Sequence, residues 1–186
     1  MTQFGFYFDQ TRCIGCHTCS IACKDWHDID AGPVNWRRVD LTESGTFPDL
    51  FVAYTSTSCN HCAEPPCVKA CPEKAINKRE SNGIVVVEQG KCLGNEECNG
   101  YCLNACPWNA PQFGPEVGAK MQKCDLCVER LEQGKSPICV EACPMYALDA
   151  DLLEILREKY IEVIKGNESP DSDKFQPSLI FKQKQK

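Results

Sequence analysis

The chain has 186 residues, 42% hydrophobic and 25% charged, proportions of an ordinary globular protein with one or two small domains. A formal charge of −6 excludes the broad basic face that nucleic acid requires, and the pairs Arg37-Arg38 and Lys78-Arg79 read as solvated surface. Sixteen cysteines, about one residue in twelve, exclude an ordinary enzyme composition and point to disulfides or bound metal.

The opening "MTQFGFYFDQTRC" lacks a basic region followed by an apolar run and a cleavage site, so no signal peptide is expected. No stretch approaches the ~20 apolar residues of a spanning helix, so direct membrane insertion is not expected either. Reduced, metal-binding cysteines fit that setting better than a disulfide framework.

A short strand, "FGFYF" (4–8), precedes a first run of Cys13, Cys16, Cys19 and Cys23, spaced C-x2-C-x2-C-x3-C. A second, "LFVAYT" (50–55), precedes Cys59, Cys62, Cys67 and Cys71, spaced C-x2-C-x4-C-x3-C. The Pro65-Pro66 pair shapes that loop and carries no chemistry. A third, "GIVVV" (83–87), precedes Cys92, Cys98, Cys102 and Cys106, spaced C-x5-C-x3-C-x3-C. A fourth, "AKMQK" (119–123), precedes Cys124, Cys127, Cys139 and Cys143, spaced C-x2-C-x11-C-x3-C. Further short segments follow three runs: "KAI" (74–76), "APQF" (110–113) and "YAL" (146–148).

The x3 gap before the last cysteine never varies, and Pro72, Pro107 and Pro144 follow three of the last cysteines. This is an internal repeat of about 25 residues. A unit that small buries too little apolar surface to fold alone, so metal must supply folding energy. Residues 151–165 then read as an amphipathic helix starting near Asp151, with a stripe of Leu152, Leu156, Tyr160 and Val163 that packs on the cysteine-bearing body. "GNESPDSDK" is linker-like, and "FQPSLIFKQKQK" offers a short apolar segment for docking on a partner subunit.

Three thiols at x2 spacing wrap three corners of a [4Fe–4S] cube, and the cysteine three residues on faces away and ligates a neighbouring cluster. Zinc ribbons present two separated pairs instead, and a Rieske centre needs paired histidines that His17, His27 and His61 do not form. None of the three histidines is taken as a ligand; His17 and His61 sit inside cysteine loops as packing or hydrogen-bonding groups. Trp26 and Trp108 adjoin cysteine runs, and Trp36 lies a little further off; their rings serve as packing or as shields against water.

The stretches "RCIGCHTCSIACKD", "SCNHCAEPPCVKACP", "GIVVVEQGKC" and "KCDLCVERLEQGKSPICVEACP" resemble the four-cluster, ferredoxin-type small subunits of the dimethyl sulfoxide reductase family, over roughly residues 4 to 150. The eleven-residue gap after Cys127, with Arg130, Gly134 and Pro137 inside it, makes the likeness specific. The resemblance implies an α+β fold of two ferredoxin-like modules, one inserted in the other. Residues 1–50 and 107–150 would form the first module, 51–106 the inserted one, and 151–186 the C-terminal helix and tail.

It also implies four [4Fe–4S] clusters in crossed sets. Cys13, Cys16 and Cys19 go with Cys143, while Cys124, Cys127 and Cys139 go with Cys23. Cys59, Cys62 and Cys67 go with Cys106, while Cys92, Cys98 and Cys102 go with Cys71. The third run departs from the family spacing: extra residues around Asn95 to Gly100 enlarge one loop, as a docking surface or a plain surface insertion.

No catalytic constellation is visible, and a cube with four protein ligands leaves no iron open to substrate. The expected role is a non-catalytic relay between a large molybdenum or tungsten pterin subunit and a membrane, quinone-linked subunit. A polyferredoxin-type small subunit of a hydrogenase or formate-oxidising complex is the alternative, and a zinc-dependent interaction module the remote one. The resemblance implies a peripheral place in a membrane-associated complex, on the extracytoplasmic side by export with a partner.

Overall fold

The computed structural model describes residues 2–164 and 172–185. At the centre of the fold is β1 (Phe4–Asp9), whose residues from Gly5 onward are all buried. β1 pairs antiparallel with β6 (Leu148–Leu152), from Phe4↔Leu152 to Phe8↔Leu148. On its other edge it pairs in parallel with β7 (Leu179–Lys182), from Phe6↔Leu179 to Asp9↔Lys182. A strand flanked on both edges and covered on both faces reads as the near-continuous apolar run found at "FGFYF".

Asp9 closes β1 as a buried carboxylate. It accepts the backbone N–H of Thr11 at 2.9 Å and the Lys182 ammonium at 3.0 Å. Burial opposes its ionisation, but the hydrogen bonds from Thr11 and Lys182 outweigh that and hold its carboxyl below the ordinary range.

α1 (Thr18–Trp26) carries the end of the first cysteine run and packs on α6 (Ile138–Glu141). β2 (Arg38–Ser44) and β3 (Phe51–Thr57) form a seven-pair antiparallel hairpin, whose turn spans residues 45–50. β4 (Ile76–Lys78) and β5 (Val85–Val87) form a second small ribbon. α2 (Pro66–Ala70) packs on α4 (Tyr101–Ala105), and α3 (Asn95–Cys98) occupies the enlarged third loop. α5 (Val128–Glu132) begins the long fourth gap. These helices are too short to hold their shape without tertiary support.

The segments "FGFYF", "LFVAYT" and "GIVVV" are thus β1, β3 and β5. "AKMQK" makes only one isolated bridge, Gln112↔Gln122, although Ala119, Met121 and Lys123 alternate inward as a strand would. "YAL" begins β6, which runs on through Asp151 and Leu152 and takes both from the expected helix. The helical stretch is α7 (Leu153–Lys159) followed, after Tyr160, by α8 (Ile161–Ile164); Lys165 lies outside the described residues.

Leu156, fully buried, packs with Tyr7 and Ile180, and Leu153, Tyr160 and Val163 join them. The tail departs from expectation. After α9 (Ser172–Phe175), "LIFK" docks on its own chain as β7 rather than on a partner. Of the expected linker, 166–174, residues 166–171 lie outside the described residues and the remainder enters α9.

Two apolar cores result. The larger holds Phe6, Phe8, Ile84, Leu126 and Leu148 together with Cys19, Cys59, Cys106, Cys124 and Cys139. The smaller holds Ile76, Val85 and Met121 with Cys67 and Cys102. The second cysteine run contributes to both, so the two cores adjoin through it.

Candidate metal centres

All sixteen cysteines are free. Cys13, Cys16, Cys19 and Cys143 line one cavity, beside Ile14 and His17. Cys59, Cys62, Cys67 and Cys106 line another, against Val85, Trp108 and Lys123. Cys71, Cys92, Cys98 and Cys102 line a third, with Phe113 and Met121. Cys23 lies near enough to Cys139 and Cys127 to feel their charge, and Cys124 feels Cys23 and Cys139 in turn. The packing of α1 on α6 makes that fourth gathering. Each group joins three cysteines of one run to the last cysteine of another.

Backbone conformation singles out the same loops. Eight of the ten non-glycine residues with left-handed φ lie in or within three residues of a cysteine run: His17, His61, Lys74, Asn99, Asn109, Leu126, Cys127 and Tyr146. Each such residue costs of order 1 kcal/mol, a strain that persists only where the surroundings over-determine it. A bound group gripped at several corners does so.

A shorter motif hides in three of the runs: C-P-x-x-A, at Cys71–Ala75, Cys106–Ala110 and Cys143–Ala147. In each the residue before alanine is left-handed, and the alanine is almost fully buried. The turn aims the alanine N–H at the cysteine sulfur, at 3.3 Å for Ala75 to Cys71 and for Ala147 to Cys143. Ala110 does the same for Cys106. Sequence reasoning saw the prolines and missed the alanines; their fixed offset was the available signal. The first run has no such turn, because α1 continues past Cys23 to Trp26. His27 instead brings Nε2 to 3.3 Å from the sulfur of Cys127.

The other histidines differ. His17 is exposed, while His61 is fully buried and accepts the N–H of Val85 on Nδ1. His27, Asp125 and Cys127 also lie close enough together to hold a single ion, but that would take Cys127 from its group of four. The long fourth gap is shaped by the residues noted there. Buried Arg130 donates to the Ser136 carbonyl at 2.8 Å, covers the Trp26 ring at 4.5 Å and pairs with Glu141. Gly134 turns the chain at φ +71°, and Pro137 starts α6. Trp36 donates to Gln122 at 3.0 Å, and Trp108 walls the cavity of the second run.

Burial governs the thiols. It pushes Cys23, Cys62, Cys67 and Cys127 up to about 12 and Cys102 to about 11. Cys124 is raised still further, again by burial. Only Cys16, the exposed one, is lowered, by the Thr18 hydroxyl. Without a cation these buried thiols stay protonated; a polynuclear cation displaces the protons and supplies the charge that makes thiolates stable there. All-sulfur donors in groups of four suit iron–sulfur cubes.

Comparison with known proteins decides between iron–sulfur and zinc. Residues 50–151 match the 4Fe-4S dicluster domain. The iron–sulfur subunit of the anaerobic dimethyl sulfoxide reductase of Haemophilus influenzae is 42% identical, over 98% of this chain and 90% of that one. The chain belongs to the iron–sulfur electron-transfer subunits of the dimethyl sulfoxide reductase family.

The corresponding subunit of the Escherichia coli K12 reductase is 41% identical, over 97% of this chain and 89% of the other. A subunit of the sulfite dehydrogenase of Allochromatium vinosum is 38% identical over 79% and 68%. The family's cofactors are four [4Fe–4S] clusters, which removes the zinc reading. The enlarged third loop, a departure from the family spacing, forms α3 and α4 with Asn99 and Gly100 in left-handed conformation between them.

The two basic pairs are corrected by the structure. Arg37 is only 2% exposed, and Lys78, half-buried, donates to the carbonyls of Cys62 and Gly83 at 2.9 and 2.8 Å. Both read as surface because charge gives no sign of burial when its partners are hydroxyls and carbonyls far along the chain.

Proposed function

We propose that the sixteen cysteines hold the four cubes in the crossed sets expected from the family, two in each of two interleaved ferredoxin-like modules. The chain would then relay electrons between a molybdenum or tungsten pterin catalytic subunit and a membrane, quinone-linked subunit, doing no catalysis itself. Each cube accepts and passes one electron at a time. The protein's part is to hold the sulfurs, exclude water and set the local charge.

One observation carries the reading: thiol burial varies in order along the packed sets. Cys19 and Cys139 interact directly, joining the first set to the fourth. The fourth and second share the larger core, and the second and third share the smaller. In the two middle sets every cysteine is buried, whereas Cys16 of the first is exposed and Cys71, Cys92 and Cys98 of the third are half-buried. Shielded centres with more open ones at each end suit a conduit between two partners.

No helix among the described residues is long and apolar enough to cross a membrane, so the membrane contact is assigned to a partner. We place the complex on the extracytoplasmic side, exported together with the catalytic subunit. Anaerobic purification tests this reading. About four irons and four sulfides per cluster are expected, with a large pterin-bearing subunit identified by mass spectrometry alongside. Zinc without acid-labile sulfide overturns it, and a co-purifying hydrogenase or formate-oxidising subunit moves the chain to that class of complex.

A further inference from the structure

Arg37 is the residue the relay does not yet account for. Its guanidinium is buried between the first and fourth cysteine sets. Nη1 donates to Ser56 Oγ and Nη2 to Ser58 Oγ, each at 3.0 Å, and the plane covers the Phe6 ring at 4.6 Å. Among the described residues no carboxylate forms an ion pair with it, and its Nε has no partner. A lone buried cation is costly by several kcal/mol, so its surroundings must hold an anion. The anions at hand are sulfurs.

On one side Arg37 hydrogen-bonds Cys139 and faces Cys124 and Cys23 of the fourth set. On the other, Ser56 Oγ lies 3.5 Å from Cys19 Sγ of the first set. That hydroxyl already accepts from Arg37, so its own proton is free for Cys19; a thiolate ligand can only accept it. Burial works against the guanidinium's charge, and Cys139, Cys124 and Cys19 more than reverse this.

We propose that Arg37 is a positioning residue shared by the first and fourth cluster sites: one fixed positive charge, delivered directly to Cys139 and through Ser56 to Cys19, that raises both reduction potentials together. The proposal rests on the cluster assignment above. Reduction adds negative charge to a cube, so a neighbouring fixed cation in a low-dielectric interior stabilises the reduced form at either site. At three sets, C-P-x-x-A turns supply the sulfur with backbone N–H donors; the fourth set lacks that turn and draws on a side-chain cation instead. The third site, whose walls do not include Arg37, serves as reference.

The test is a redox titration followed by electron paramagnetic resonance on the anaerobically purified complex, with each site identified by the signal lost in its own cysteine variant. Wild-type protein must first show four clusters; if it does not, the cluster assignment itself fails and the variants are not needed to say so. With Arg37→Gln, the oxidised-to-reduced ratio of the first and fourth sites at their wild-type midpoints should rise at least tenfold, about 59 mV for one electron. Arg37→Lys should recover most of that shift, and Ser56→Ala should move the first site alone. Unmoved midpoints in Arg37→Gln, or an equal shift at all four sites, overturn the proposal. If Arg37→Gln fails to assemble its clusters, Ser56→Ala decides: a downward shift confined to the first site supports the relay, and an unmoved first site overturns it.

Discussion

The second and fourth cysteine sets are buried throughout, whereas the first and third each keep a single buried thiol, Cys19 and Cys102. The same repeat therefore builds two kinds of site. Around the fourth set, α1, α5 and α6 close over the sulfurs, with Arg37 and Leu126 beneath them. Around the third, α3 and α4 form a thinner cover in which Glu96, Glu97 and Tyr101 face solvent. Ligand spacing fixes how a loop wraps its cube; what surrounds the loop fixes how far water reaches it.

The largest expected difference lies between serine substitutions at the two kinds of site. Cys139→Ser removes a ligand that is 3% exposed in the main core, and the chain should fail to accumulate as folded protein. Cys16→Ser changes an exposed ligand, and protein with the other three clusters should still be recovered. Iron content and thermal melting check this, and equal losses for both variants would break the distinction.

Iron removal sharpens it further. A chelator added to oxidised protein should take iron from the first and third sites before the second and fourth, giving two phases in the visible absorbance. A single phase would show that cover does not control access.

Leu156→Ala tests a region remote from the cysteines. The residue is fully buried between Tyr7 and Ile180, so truncation should cost about 2–5 kcal/mol by denaturant unfolding. The cluster signals of the folded protein should stay as in wild type. The smallest effect is expected for Gly15→Ala in the first loop. There φ is +70° and an added Cβ would meet the Tyr54 ring at 2.4 Å. A penalty of about 1–2 kcal/mol from the left-handed backbone, with some movement of Tyr54, should broaden the first site's resonance and leave the other three unchanged.

The cysteine groups were legible because cluster chemistry fixes ligand spacing, and spacing survives in a linear sequence. β1, β3 and β5 were legible for a similar reason: each is a short apolar run next to its loop. β2 was not, because Asp40, Leu41, Thr42 and Glu43 lie on an exposed ribbon with no apolar face to betray it. The β7 segment reads correctly as apolar and docking but points to the wrong surface, since its partner β1 lies far along the chain, with 173 residues between Asp9 and Lys182. Arg37 was hidden more deeply: only the fold brings Ser56, Cys19 and Cys139 around it. The C-P-x-x-A turn was visible in principle and needed only the alanine to be counted with the proline.

The crossed sets themselves are tested most directly by a crystal structure of anaerobically loaded protein, with diffraction measured at the iron absorption edge. The expected map shows four separate cubes, the fourth held by Cys23, Cys124, Cys127 and Cys139 with Arg37 against it. Cubes ligated each within a single run, or isolated single ions in place of cubes, would contradict the account.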